Sequence, residues 1–223
     1  MDEQSDALGD AVATERGIDT PPRARETAQA ADRHVDLAAL KVIAHPLRVR
    51  ILDELSKFGP LTASGLGERL GESSGATSYH LRQLAKHDFV REVEGKGSAR
   101  ERWWRRTPVG LSMDPTELSD TPAGREAYDL VNREFRRNQE QALDDYLARG
   151  TDVLSRAWMQ ATTISTANLR MTAEELERLS VEVYRVLDQS ILAFRDREPP
   201  AGARPVQVQF NAFPIIGGEE QKS

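Results

Sequence analysis

Apolar residues recur at helical spacing between residues 36 and 71 and predict three consecutive helices. Asp36 is a good N-cap for the first helix, over LAALKVIA. Pro46 ends that helix and suits the first turn of the second, because its ring fixes φ and it has no N–H to donate. Thr62 caps the third helix, and Gly71 ends it. The second helix carries a buried stripe formed by Leu47, Ile51, Leu52 and Leu55.

A fourth helix follows Ser73, its predicted N-cap, and its two sides differ in character. Helical spacing places Leu81 and Leu84 on an inward side, together with Thr77 and His80. The opposite side carries small, polar and cationic residues, namely Gly75, Ser78 at its edge, Tyr79, Arg82 and Lys86. The apolar side predicts packing on the other helices, so the polar side is free to touch a different surface.

The pattern then changes from helical to alternating and predicts a β-hairpin with strands at 89–94 and 100–106. The turn between them contains two glycines, Gly95 and Gly97. Trp103 and Trp104 point to opposite faces of the second strand. One tryptophan is expected to fill the core, and the other to cover the long helix that follows or a partner subunit.

Beyond the hairpin the pattern predicts a linker, a long helix and a small α/β unit. Residues 108–122 contain three prolines and indicate a linker. An amphipathic helix is predicted at 123–148, with one apolar side formed by Ala127, Val131, Phe135, Ala142 and Tyr146. In the C-terminal unit, TTISTANLRM at 162–171 indicates a strand and TAEE at 172–175 is a capping box that opens a helix. VQVQFNA at 206–212 alternates as a second strand.

Charge is distributed unevenly along the chain, whose net charge is −6. Residues 36–107 hold 13 Lys and Arg against 9 Asp and Glu, a net charge of +4. The flanks are acidic, with −4 over residues 1–35 and −6 over residues 108–223. A basic block between acidic flanks indicates that residues 36–107 have a function distinct from that of the flanks.

The composition indicates the cellular compartment in which the protein is expected. The sequence has no cysteine, which excludes a disulfide framework and a thiolate metal site and fits a reducing compartment. No apolar run approaches the roughly 18–20 residues of a membrane span, and the acidic N-terminus lacks the apolar core of a signal peptide. We therefore expect a cytoplasmic protein with no membrane partner.

The order of helix, glycine-containing turn, helix and basic hairpin is that of a winged helix-turn-helix domain, which we assign to residues 36–107. A DNA major groove admits one α-helix, and small residues near its N-terminus let the backbone approach the bases. Long side chains can then reach base edges, while the basic hairpin suits phosphates. The candidate DNA-binding residues are Ser74, Gly75, Ala76, Thr77, Ser78, Tyr79, Arg82, Lys96, Arg100 and Arg102.

The predicted fold class is therefore mainly α with a small β component (α+β). We expect a disordered tail at 1–35, the winged domain at 36–107, a linker at 108–122, a dimerisation and effector domain at 123–214, and a flexible tail at 215–223. Within the fourth of these units, residues 123–214, the 123–148 helix is expected to pair two subunits, because two-fold DNA sites require paired recognition helices.

Three strings of the basic block carry a family resemblance: LKVIAHPLRVRILDEL, LTASGLGERLG and SSGATSYHLRQLAKHDFVREVEGKGSARERWWR. Together they resemble the DNA-binding domain of ArsR-family (arsenical-resistance-regulator-like) transcription factors, over about a third of the chain. The resemblance implies a homodimer, a double-stranded DNA operator with two half-sites, and a signal that alters DNA affinity, for which a small-molecule effector is a candidate. Metal-sensing members of that family hold their metal with Cys residues, or with His and acidic residues after the wing.

This chain departs from the metal-sensing members, because it has no Cys and its four histidines all precede the late helix. We therefore expect no metal and no other cofactor. No nucleophile motif or P-loop supports an enzyme, so no catalytic residue is expected. The alternative is an adaptor whose winged helix binds a protein, since fold alone does not fix function. The local charge of +4 in an acidic chain favours DNA.

Overall fold

The computed structural model describes residues 33–98, 101–107, 111–113, 115–118, 120–195 and 197–218. Its first part contains β1 (Arg33–His34), α1 (Leu37–Ile43), α2 (Pro46–Phe58), β2 (Leu61–Thr62), α3 (Ala63–Leu70), α4 (Ser74–Ala85), β3 (Val90–Ser98) and β4 (Glu101–Arg106). Its second part contains β5 (Leu111–Ser112), α5 (Pro115–Leu118), α6 (Pro122–Val153), α7 (Arg156–Ala161) and α8 (Ala173–Arg195). The sequence thus predicted each of the helices α1–α4 and the hairpin.

Each of the first four helices begins at a residue whose side chain accepts a hydrogen bond from a free N–H of the first turn. These N-caps are Asp36 for α1, His45 for α2, Thr62 for α3 and Ser73 for α4. At the other end of α3, Gly71 adopts the left-handed conformation with φ of 68°. The caps and this glycine set the short turn between α3 and α4, so local chemistry fixes the helix-turn-helix unit.

A small antiparallel sheet in the order β2-β4-β3 forms the wing. The pairing of β3 with β4 shifts register between Glu92 and Gly97, so β3 carries a bulge. Gly95 and Gly97 lie in this bulge with φ of 71° and 93°. The prediction that these glycines form the hairpin turn is therefore wrong, because β3 continues to Ser98 and its positive-φ residues absorb extra length within the strand.

The core is a single cluster of buried apolar residues contributed by α1–α6 and the wing. Leu40, Ile43, Ile51, Leu52, Leu66, Leu81, Leu84 and Val131 are completely buried in it. Trp104 is the tryptophan that joins this core, while Trp103 is half-buried. The stripe predicted on α2 is buried throughout, so the winged domain and the start of α6 share one apolar interior.

Two predicted boundaries shift. Val35 is completely buried, and β1 just before it pairs in parallel with β5. The predicted disordered tail extends to residue 35, which is too far, because residues 33–35 belong to the folded domain. Residues 1–32 lie outside the described residues. The expected linker at 108–122 also contains structure, since it holds β5 and α5, and Leu118 is buried in the core.

The long helix α6 covers 32 residues, a few more than the predicted 123–148. Thr121 caps it by accepting a hydrogen bond from the Gly124 N–H at 3.1 Å. On the predicted apolar side Ala127 and Val131 are buried and Phe135 packs against the core. The later members of that side, Ala142 and Tyr146, are only half-buried, so α6 leaves the core after its first turns.

The C-terminal part is helical where a small α/β unit was expected. Helix α8 opens with the predicted capping box, in which Thr172 and Glu175 exchange hydrogen bonds of 2.8 and 3.2 Å. Residues 162–171 and 206–212 form no strand with any described residue, so the two C-terminal strands are not formed. Residues 219–223 of the expected flexible tail lie outside the described residues. The fold class, mainly α with a small antiparallel sheet, is confirmed.

None of the described helices is both long enough and apolar enough to cross a membrane.

Candidate nucleic-acid interface

Helix α4 is held in place from its inner side. Leu81 and Leu84 are completely buried in the core. Thr77 is also completely buried, and its hydroxyl lies 2.7 Å from the Ala63 carbonyl and 3.0 Å from the Ser74 carbonyl. The prediction that Thr77 binds DNA is therefore wrong, because its hydroxyl joins the start of α4 to the start of α3 and has no access to an outer surface.

The outer side of α4 is small, polar and cationic. Ser74, Gly75, Tyr79 and Arg82 are exposed. Ala76 and Ser78 are half-buried beside them. A Cβ added at Gly75 would meet nothing closer than the Ser73 hydroxyl at 3.9 Å, so this part of the helix surface is open. An approaching surface would find an accessible backbone at the start of α4 and two long polar side chains further along.

A pair of histidine rings lies beneath the outer side of α4. His80 is half-buried, and its Nδ1 accepts a hydrogen bond from Arg48 Nε at 3.3 Å. The ring centroids of His80 and His45 are 4.4 Å apart, and Tyr79 meets His80 edge-on at 5.1 Å. Arg48 also donates to the Val42 carbonyl, so its guanidinium links α1, α2 and α4.

Both histidines prefer the neutral form in this setting. Burial from water, and then the nearby Arg48 cation, lowers the pKa of His45. Burial, followed by His45 and Arg48, lowers the pKa of His80. Glu72 acts in the opposite direction on the pKa of both rings but does not dominate. The side chains beneath α4 therefore carry one full positive charge, on Arg48. The two histidine rings resist protonation, which would add a second charge.

The wing presents two of its three predicted cations. The Lys96 ammonium lies over the Trp103 ring, 4.1 Å from its centroid, and the Lys96 side chain stays exposed. Arg102 is exposed and pairs with Glu92 at 3.5 Å. Such exposed ion pairs are worth about 1 kcal/mol or less, so a phosphate could displace Glu92 at small cost. Arg100, the third predicted cation, lies outside the described residues.

The wing also holds a close pair of cations absent from the candidate set. Arg91 on β3 lies directly opposite Arg105 on β4, and both side chains are exposed. Like charges directly opposite one another in a sheet repel, so an anion bound between them would stabilise the hairpin. The cationic type of Arg91, within a hairpin rich in arginine, is a signal that could have found it; its pairing with Arg105 required the register.

Gly97 lets the wing bring Trp103 against the bulge. A Cβ at Gly97 would lie 2.3 Å from the Glu101 carbonyl oxygen and 2.7 Å from Trp103 Cδ1. Only glycine fits there, and its φ of 93° is one that L side chains rarely adopt. The bulge therefore orients Lys96 and Trp103 together.

A cleft of about 480 Å³ lies between the start of α2 and the middle of α6. Pro46, Arg50, Glu134, Arg137 and Asn138 line it, so its wall carries charges of both signs. The buried Asn138 Nδ2 finds no hydrogen-bond partner among the described residues. A group of three or more His, Cys, Asp or Glu side chains suited to a metal ion does not occur in the described part of the chain.

Comparisons with known proteins bear on the domain that contains α4. No curated protein matches the chain. Solved structures similar to it include NolR from Sinorhizobium fredii, with 29% identity, 32% of this chain and 69% of that chain covered and a TM-score of 0.28. The AntR antimony-specific transcriptional repressor has 20% identity, 48% and 80% coverage and a TM-score of 0.31. The transcriptional regulator Tm0710 from Thermotoga maritima has 12% identity, 76% and 89% coverage and a TM-score of 0.28.

TM-scores this low do not show that the whole chain shares the fold of any of these proteins. Residues 43–93, by contrast, match the family described as "Helix-turn-helix domain". The matched stretch runs from the end of α1 into β3 and contains the whole of α4. The chain therefore carries a helix-turn-helix domain, the DNA-binding unit of transcriptional regulators.

Proposed function

We propose that this protein is a sequence-specific, DNA-binding transcriptional regulator that works as a homodimer, with α4 as its recognition helix in the major groove. The observation that carries the proposal is the two-sided character of α4. Its inner side is fixed by buried Thr77, Leu81 and Leu84, while its outer side offers open backbone, Tyr79 and Arg82 within the matched helix-turn-helix stretch. A rigid helix with a polar outer side is what base readout requires.

In this proposal the exposed residues divide the work of binding. Ser74, Gly75 and Ala76 let the start of α4 approach the bases, and Ser78 supplies a short hydroxyl. Arg82 and Tyr79 are long enough to reach base edges. Lys96, Arg102 and, as a prediction from sequence alone, Arg100 contact phosphates and set the orientation of the domain.

The ArsR-type assignment is part of the same proposal and rests on the sequence strings quoted above. It adds an operator with two half-sites, two winged domains held about one DNA turn (~34 Å) apart, and an effector that changes their spacing. Helix α6 is the proposed subunit contact, because beyond Phe135 its apolar residues are left half-buried or exposed, Leu143 and Leu147 among them.

Two alanine variants test the division of work. Arg82→Ala should lose about 1–3 kcal/mol of discrimination between the preferred site and its variants, because a base contact is removed. Lys96→Ala should weaken binding to all duplexes about equally and lower the salt slope by about 1, because one phosphate contact is lost. Both effects are measured by selecting sites from random duplexes and then titrating the selected site at two salt concentrations.

Arg178→Ala is the matched control, since Arg178 is an exposed arginine of α8, outside the winged domain. It should leave affinity, preference and salt slope unchanged. Unaltered site preference in Arg82→Ala would remove that residue from the interface. If the wild-type chain binds no duplex at low ionic strength, with extracted small molecules added back, DNA binding is wrong and the adaptor function replaces it.

A further inference from the structure

Two C-terminal segments have the sequence pattern of β-strands but no strand partner among the described residues. Residues 206–212 alternate between apolar and polar side chains, and residues 162–171 include three Thr and one Ile, which favour strands. Every residue from 163 to 171 is exposed, and so is every residue from 201 to 209. Neither segment lies within a helix. The pattern for strands is present, and the hydrogen-bonded neighbour is missing.

The second segment has an unpaired backbone as well as the residue pattern of a strand. From Pro205 to Pro214 no backbone hydrogen bond reaches another described residue. A row of free N–H and C=O groups is a ready template for pairing with another chain. Buried backbone groups must be paired, so this row either stays in water or meets a strand from elsewhere.

The 205–212 segment nevertheless touches two helices of the chain. The Phe210 ring meets the Tyr184 ring of α8 edge-on, with centroids 5.9 Å apart. Gln207 Nε2 donates to the Gln139 carbonyl of α6 at 3.3 Å. The segment thus contacts both α8 and α6, while its residues 205–209 stay exposed.

The C-terminal part leaves many large apolar side chains exposed. Eleven large apolar side chains between Ile164 and Ile216 are 40% to 93% exposed. At roughly 100 Å² left exposed by each, this is on the order of 1,000 Å², against about 800 Å² per partner in a stable protein interface. Among the described helices and strands none makes an extensive contact with α8, whose apolar side stays half-buried at Leu176, Leu179, Val183, Leu187 and Ile191.

Charge points to a second copy as the occupant. Residues 161–169 and 205–216 contain no charged side chain, in a protein whose residues are 30% charged. A symmetric dimer brings each surface close to its own copy, so a charged surface would repel itself while a neutral one does not. A nucleic acid or a strongly charged protein would find no complementary group on these segments.

We propose that residues 163–169 and 205–212 form β-strands only in the homodimer, where the open strand edges of one copy are paired by the extended segments of the second copy. The shared sheet would cover the apolar side of α8 and supply the missing backbone partners. This inference rests on the homodimer of the proposed function and adds the surface that forms it. It also accounts for two strands that the sequence predicts and the single chain does not form.

Hydrogen exchange on the full-length protein tests the proposal directly. Amides of 163–169 and 206–212 should exchange at least about 100-fold more slowly than free peptide at concentrations where the protein is a dimer. The protection should disappear from both segments on dilution to monomer, while α4 in the winged domain keeps its own. A dimer whose two segments exchange like free peptide would overturn the proposal, and so would protection that survives dissociation.

A proline pair gives a second, independent measurement. Val208→Pro removes a strand N–H and should weaken the dimer at least about 10-fold in sedimentation equilibrium, with loss of protection in both segments. Ala201→Pro is the matched control, because Ala201 follows Pro200 in a turn closed by the Ala203 N–H and precedes Gly202 at φ of 82°. Proline suits that position, so dimer and protection should be unchanged. An unaltered dimer in Val208→Pro would contradict strand pairing.

These outcomes are separable from those of the DNA titration. Duplex binding reports on α4 and the wing, whereas exchange and sedimentation report on the C-terminal segments. Loss of DNA binding with dimer-dependent protection intact would refute the regulator and leave the shared sheet standing.

Discussion

At the scale of single residues, the two histidines beneath α4 make the stability of the domain depend on pH. The rings of His45 and His80 meet at 4.4 Å, and Arg48 adds its fixed charge to the same place. Protonating either ring would put a second cation beside a guanidinium in a half-buried site. Both pKa values are therefore lowered from the ordinary 6.5, and the folded domain favours two neutral rings.

We expect the free energy of unfolding to fall as pH drops below about 6.5. The unfolded histidines bind protons at the ordinary pKa, at a higher pH than the folded ones, so protons favour the unfolded state. The stabilisation is complete above 6.5 and is lost as pH falls toward the lowered pKa values. His80→Gln keeps an acceptor for Arg48 and removes one titrating ring. Urea unfolding at about pH 7.5 and about pH 5.5 should show a smaller loss in the variant; parallel losses would contradict this origin.

At the scale of elements, the packing of α3 on α4 depends on one of two neighbouring glycines. A Cβ at Gly67 would lie 2.6 Å from the Glu72 carbonyl, which is backbone and cannot yield. The Gly67 carbonyl in turn accepts the Glu72 N–H at 2.9 Å. Gly65 differs, since a Cβ there would sit at an ordinary 3.4 Å from the Thr62 hydroxyl. The turn between the helices therefore closes onto Gly67 alone.

Alanine at the two positions should act in opposite directions. Gly67→Ala should destabilise the domain by about 1–3 kcal/mol, because the overpacked α3–α4 turn must shift. Gly65→Ala should be neutral or stabilising by up to about 1 kcal/mol, because alanine favours a helix. Thermal unfolding of the two variants beside the wild type measures both changes. Equal effects at both positions would show that close approach at Gly67 does not matter.

Features that depend on neighbouring residues could be predicted from the sequence, and those that depend on distant contacts could not. The N-caps at Asp36, Thr62 and Ser73 are hydrogen bonds across three residues, so they follow from local order. The burial of Val35 follows the pairing of β1 with β5, almost eighty residues away. In the wing, glycines with positive φ suit a turn and a bulge alike, and only the strand register decides.

The candidate site shows the same limit. Helical spacing places Thr77 inward, but its small polar type had put it among the DNA contacts. Two of its three carbonyl neighbours, Ser73 and Ser74, are local, but the third, Ala63, comes from the approach of α3, a tertiary contact. Exposure of Tyr79 and Arg82 needed only the period of the helix, so these two were predictable.

At the scale of the whole molecule, the fully buried core closes early in the chain. Its members run from Val35 to Val131, and Phe135 packs against them. The described residues beyond Asn138 add no large side chain to that cluster. We therefore expect the winged domain with the first turns of α6 to fold as one unit.

A chain ending after Asn138 should unfold cooperatively, since it keeps the whole core. A chain ending after Leu130 lacks Val131 and Phe135 and is the matched comparison. Removing these side chains should cost several kcal/mol, about the amount of large-to-small core changes, and broaden the melting curve. Circular dichroism melts of both chains check the prediction. A non-cooperative melt of the longer chain would mean that the C-terminal part contributes to the core fold.

Helix α6 also has a mechanical consequence. Its 32 residues make it about 48 Å long, and the 136–153 stretch projects roughly 27 Å past the last core contact. Because this stretch is anchored only at the winged domain, a tilt of about 5° there moves the distal end of α6 by roughly 2 Å. The buried end of α6 packs on α2, which in turn packs on α4. In the proposed homodimer, a slight swing of the two paired α6 helices would therefore carry both winged domains into or out of step with successive grooves.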